Sequence, residues 1–108
     1  MYCDGRLLVR ALSDVHRSTW IKTIIHGGSR GADRIAGMWA AERQVPVEVF
    51  KPDRTKWRRS SAAFRACNQR LISDGKPDLV IAIPPHSMDT TDRIRRAERA
   101  GIKVWKLG

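Results

Sequence analysis

The feature that most constrains this chain is an alternation. Stretches whose apolar residues recur every three or four positions give way, again and again, to short runs of β-branched residues. From Asp4 to about His16, Leu7, Leu8, Ala11, Leu12 and Val15 share one helical stripe, with Asp4 as a candidate N-cap. The next segment, WIKTIIHGG, reads as a buried strand because Ile21, Thr23, Ile24 and Ile25 are β-branched and the run closes on glycines. A helix returns from Ala32 to about Gln44, with Ile35, Met38, Trp39 and Ala41 or Glu42 around its stripe. A strand follows over Val45 to Phe50, opened by Pro46 and closed by Lys51-Pro52. Asp53 to Ser61 reads as a polar, basic connection, and Phe64, Cys67, Leu71 and Ile72 then mark a helix from Ser61 to about Ser73. Leu79 to Ile83 is the most apolar strand, Thr90 to Ala100 a charged helix, and IKVWKL a closing strand.

The order α-β-α-β-α-β-α-β predicts an α/β fold with a mostly parallel sheet, helices on both faces and right-handed crossovers. Such folds normally open on a strand, and this one enters on a helix. The chain of 108 residues fits a single domain over 1–108. It holds no apolar run near the roughly 18 residues that a membrane span needs. Its start, MYCDGRLLVR, lacks the long apolar segment of a signal peptide, so the expectation is a cytoplasmic protein with no membrane partner. Cys3 and Cys67 match no metal-ligand spacing, and isolated cysteines of this kind are expected to be free thiols, with no metal site. No cofactor is expected either. A net charge of +10 makes a phosphate-bearing partner plausible, whether nucleotide, nucleic acid or anionic surface, without choosing among them.

In a doubly wound sheet, ligands bind where strands end and helices begin, because the turn exposes backbone N–H groups at the positive end of a helix dipole. His26 to Asp33 lies at such an end. Gly27, Gly28 and Gly31 allow a tight turn and close approach of an anion, and Arg30 can grip phosphate with two N–H groups. The pattern is neither G-x-G-x-x-G nor a Walker A loop, and a plain turn with a solvated arginine explains it as well. A second candidate is PPHSMDTTD, where Thr90 and Thr91 open a helix, although Asp89 or Thr90 acting as an ordinary cap accounts for it more simply. A third is FRACNQR, where Arg65 and Asn68 share one helix face and Phe64, Cys67 and Leu71 another, as on any surface helix. Lys51, Arg54, Lys56, Arg58 and Arg59 form a basic run around Trp57, whose ring can stack on a base. No nucleophile motif is present, so covalent catalysis is not expected.

Three segments together resemble a known family. HGGSRGADRIAGMWAAERQVPVEVFKPD is similar to its G-G-x-R-G-A-D signature with the helix and V-P-V-E strand that follow. FRACNQRLISDGKPDLVIAIP resembles its R-x-x-N-Q helix and P-D-L-V strand, and DTTDRIRRAERAGIKVW its G-T-x-D-M-x-R-x-A-x-x-A-G-I-x-V ending. The family is the YspA-type branch of the SLOG superfamily, related to lysine-decarboxylase-like LOG proteins and to the DNA-processing protein DprA. The resemblance implies a Rossmann-like fold that binds a nucleotide or nucleotide-derived ligand, with a sensor as one role. Enzymes of the superfamily cleave N-glycosidic bonds of nucleotides. It carries ligand contacts onto Gly27, Gly28, Ser29, Arg30, Gly31 and Asp33, onto Arg65 and Asn68, and onto Thr90, with Asp33 and Asp92 as candidate catalytic carboxylates or ribose acceptors. A basic nucleic-acid-binding protein is a third reading.

The sequence departs from the family at two places. The family opens on a strand ending in a Gly-Ser-Arg-Asp-like loop, and Tyr2-Cys3-Asp4 resembles the segment just after that loop. The resemblance therefore implies that a central strand and part of the pocket are missing, through a misassigned start codon, a truncated chain, or completion by a partner chain in a homodimer. Asp89 stands where the family has glycine, and an acidic side chain there weakens anion binding unless a cation neutralises it.

Overall fold

A computed structural model describes residues 5–53, 55, 60–84 and 86–107. The observed order is α1 (Gly5–Ser18), β1 (Ile24–His26), α2 (Ala32–Glu42), β2 (Val47–Val49), α3 (Ser60–Ser73), β3 (Leu79–Ala82), α4 (Met88–Arg99) and β4 (Lys103–Lys106). The elements match the expected alternation, but the strands are shorter. Trp20 to Thr23 stay outside β1. The proposed cap Asp4 lies outside the described residues, as do Cys3 and, in the basic connection, Arg54, Lys56, Trp57, Arg58 and Arg59.

The α1 stripe does what its spacing demands, burying Leu8, Ala11 and Leu12. With Ile24, Trp39, Ala40, Val45, Ile83 and Leu107 they form one core cluster, on the side of the sheet layer that carries α1 and α2. Leu71 and Ile72 of α3 and Ala97 of α4 form a second cluster with Val80, packed by Ile25, Phe50, Ile102 and Val104. Adjacent strand residues therefore face opposite layers, Ile24 one and Ile25 the other, as a parallel strand buried between two helical layers requires. Helices cover both faces of a parallel α/β layer. Trp39 is 2% exposed and donates its indole N–H to Ser13 Oγ at 3.1 Å, while the Arg43 guanidinium lies 4.7 Å from its ring centre. Met38, expected on the same stripe, is 55% exposed. The buried arc of α2 is too narrow to take both neighbours.

The layer is not one ladder. β1 pairs with β2, and β3 with β4, all parallel, and among the described residues no strand ladder joins the two pairs. β1 and β3 are the better buried member of each pair, whereas all of β2 is exposed, so the inner edges belong to β1 and β3. Ile24 N donates to Pro46 O, and His26 O accepts from Phe50 N. By the alternation of a parallel ladder, the backbone groups of Ile25 then point away from β2, toward the break. The same reasoning from the Leu107 N bond to Ala82 O directs the backbone of Ile81 away from β4.

Candidate functional site

The carboxyl end of β1 runs through Gly27 and Gly28 into α2. Gly28 has φ +78°, a left-handed angle that favours glycine, and Gly27 is buried. A Cβ on Gly27 would lie 2.9 Å from Arg93 Nη2 and 3.2 Å from Asp33 Oδ2, so a side chain there would have to displace the guanidinium end of Arg93. The turn is held by its own residues. Asp33 Oδ2 accepts from Gly27 N at 3.0 Å, Ser29 N at 3.2 Å and Ser29 Oγ at 3.0 Å. Gly28 N donates to His26 Nδ1 at 3.0 Å. Asp33 sits in the first turn of α2, where the helix dipole favours a carboxylate, and it turns back to bind donors that an anion would otherwise take. The N-cap Gly31 makes no side-chain capping bond, and Arg30 beside it is exposed. The start of α2 at residues 30–32 thus has no side-chain cap among the described residues.

From Asp33 a polar network runs into the other half of the molecule. Arg93 Nη1 lies 3.7 Å from Asp33 Oδ1, and Arg93 Nε donates to Asn68 Oδ1 at 2.9 Å. Asn68 Nδ2 donates to the Asp89 carbonyl, to Asp89 Oδ1 and to Asp92 Oδ2 at 3.1, 2.8 and 3.1 Å. Arg96 closes the network on Asp92 at 2.9 Å and donates to Gln69 Oε1 at 2.7 Å. Burial works against the charge on Asp92, but hydrogen bonds from Arg96 and Asn68 and the charges of Arg96 and Arg65 outweigh it. They hold this carboxyl below its ordinary range.

The residues singled out in the sequence thus meet unequally. Gly27, Ser29, Asp33, Asn68 and Asp92 belong to one network. Arg65 is exposed on α3 and reaches the network through its charge on Asp92. Asn68 does not share a solvated face with Arg65: it is 1% exposed, and the α3–α4 interface consumes its amide. Thr90 does not cap α4, and neither does Asp89. The cap is Ser87, whose Oγ accepts from Thr90 N at 3.1 Å, because the helix begins at Met88, two residues earlier than its charge pattern suggests. Asp89 is turned inward to Asn68.

One cation, Arg93, escaped the sequence reading, and a second, Lys51, was read only as part of the basic run around Trp57. Arg93 carried a detectable signal: it neighbours Ile94 on the side of α4 that packs inward, and a cation there needs a carboxylate partner. Nothing in the basic run tied Lys51 to the glycine turn, since only folding brings its Cγ and Cε to 3.5 and 3.6 Å from the Cβ position of Gly28. Arg70 fixes the Lys51 backbone by donating to its carbonyl at 2.7 Å. Among the described residues, no group of three or more His, Cys, Asp or Glu can hold a metal ion. No described helix is long and apolar enough to cross a membrane.

An α/β layer with a glycine turn at the end of an inner strand defines the class, and sequence comparison gives the family. Residues 1–57 match the model of the YspA, cpYpsA-related SLOG family, and the chain belongs to it. It is also 36% identical over 105 residues to the Gene 61 protein of Mycobacterium phage D29, covering 91% of this chain and 82% of that protein. No solved structure matches the chain.

Proposed function

We propose that this chain binds a nucleotide or nucleotide-derived ligand, with a phosphate at the start of α2 held by the amides of residues 30–32, by Arg30 and by Lys51. Membership of a SLOG family supports a nucleotide-related ligand. The observation that carries the location is the division of labour in the turn. Asp33 and His26 take the N–H groups of Gly27, Gly28 and Ser29, which fixes the loop, while Gly31 leaves the first turn of α2 without a side-chain cap next to Arg30, and Lys51 packs against the turn at Gly28.

The reading is of a binder or sensor rather than a hydrolase. An N-glycosidic hydrolase needs a carboxylate free to activate water or to face the developing ribose cation. Asp33 is spent on the turn, and Asp92 on Asn68 and Arg96. The experiment is Arg30→Ala, followed by nucleotide titration and thermal unfolding. The variant is expected to lose nucleotide affinity while its melting temperature stays near the parent's, since Arg30 is exposed. Unchanged affinity would remove the turn from the site.

A further inference from the structure

Arg93 is held from behind and left open in front. Behind it, Nε donates to Asn68 Oδ1 at 2.9 Å, and the Asn68 amide cannot rotate without losing its bonds to Asp89 and Asp92. In front, the guanidinium faces the glycine turn, with Nη2 2.9 Å from the place where a Cβ on Gly27 would sit. Its nearest carboxylate oxygen, Asp33 Oδ1, is 3.7 Å from Nη1, an ion pair too long for a hydrogen bond. Asp33 Oδ2 is meanwhile occupied by three donors of the turn. The terminal N–H groups of Arg93 therefore have no hydrogen-bond acceptor among the described residues, and its side chain keeps 19% of its surface open.

We propose that Arg93 is a further anion-binding residue of the glycine-turn site, beside Arg30 and Lys51, and contacts a phosphate of the ligand through its terminal nitrogens. The proposal rests on the reading of that turn as the ligand site. A guanidinium whose plane is already set loses little freedom on binding, and its paired N–H groups match the spacing of two phosphate oxygens. Asp33 cancels one unit of charge at this point. Lys51, packed against Gly28, and the exposed Arg30 of the same turn restore a positive balance for an incoming phosphate.

The test is calorimetric titration of the parent, Arg93→Met, Arg93→Lys and Arg30→Ala with matched pairs of nucleoside and nucleoside monophosphate for each of the common bases. Arg93→Met is expected to weaken monophosphate binding by roughly 10- to 100-fold while leaving the nucleoside's affinity unchanged. Arg93→Lys should recover part of the loss. Equal loss for nucleoside and monophosphate would make Arg93 a purely structural counter-ion and overturn the proposal, as would no loss for either. If the parent binds monophosphate, Arg30→Ala abolishes it and Arg93→Met does not, this inference alone fails. If the parent binds no member of the panel, it fails together with the function on which it rests.

Discussion

At the scale of single residues, the site is organised by side chains that satisfy one another. Asp92 contributes stability as a carboxylate, because its folded-state pKa lies below the ordinary value. That contribution is fully present above the unfolded pKa and is lost as the pH falls through the folded one. Asp92→Asn is therefore expected to lower the melting temperature at neutral pH and to flatten its decline between about pH 5 and pH 2. Parallel melting curves for parent and variant over that range would contradict the pairing with Arg96 and Asn68. The sequence showed Asp92, Asn68 and Asp33 as candidates, but it could not show that they spend their hydrogen bonds on each other. The bond from Asn68 to Asp92 spans 24 positions and depends on how α3 and α4 pack. Buried Cys67 is a related case. Burial pushes its thiol upward against the nearby charges of Arg70 and Arg93, and the neutral thiol donates to the Phe50 carbonyl at 2.7 Å.

At the scale of elements, periodicity fixed which segments are helices and which are strands, because each apolar stripe had one buried face to find. It was weakest at the ends. A helix begins where a cap satisfies its first amides, and Ser87 supplies that for α4 although Thr90 and Asp89 looked equally able. The strands came out short because a parallel strand needs a partner in register: Thr23 is β-branched but lies outside the paired segment Ile24–His26. Trp39 is where α2 bears on α1, through Ser13 and the edge of His16, whose ring centre lies 5.3 Å away. Trp39→Ala should destabilise the fold by about 3–5 kcal/mol. A denaturant midpoint close to the parent's would show that this contact does not anchor the first core cluster.

At the scale of the molecule, two α/β halves share a pair of helical layers but no continuous sheet. The polar network from Asp33 through Arg93 to Asn68 crosses between them. The glycine turn is thus braced from both halves. Alternation predicted the layers. The break between β1 and β3 was not legible in the apolar pattern, since the alternation of a strand's side chains does not record which strand its backbone pairs with. The charge of +10 adds a long-range field that attracts any phosphate, including nucleic acid, so affinity alone cannot identify a pocket.

Salt separates the two cases, and it gives the most direct test. The melting temperature would be measured with nucleoside mono- and diphosphates, NAD and ADP-ribose, at low and at high ionic strength. A nucleotide seated against the start of α2 should raise it at both, with much of the shift retained in high salt. A shift that vanishes in high salt, or appears only with polynucleotides, would contradict the account and make the basic surface the binding element.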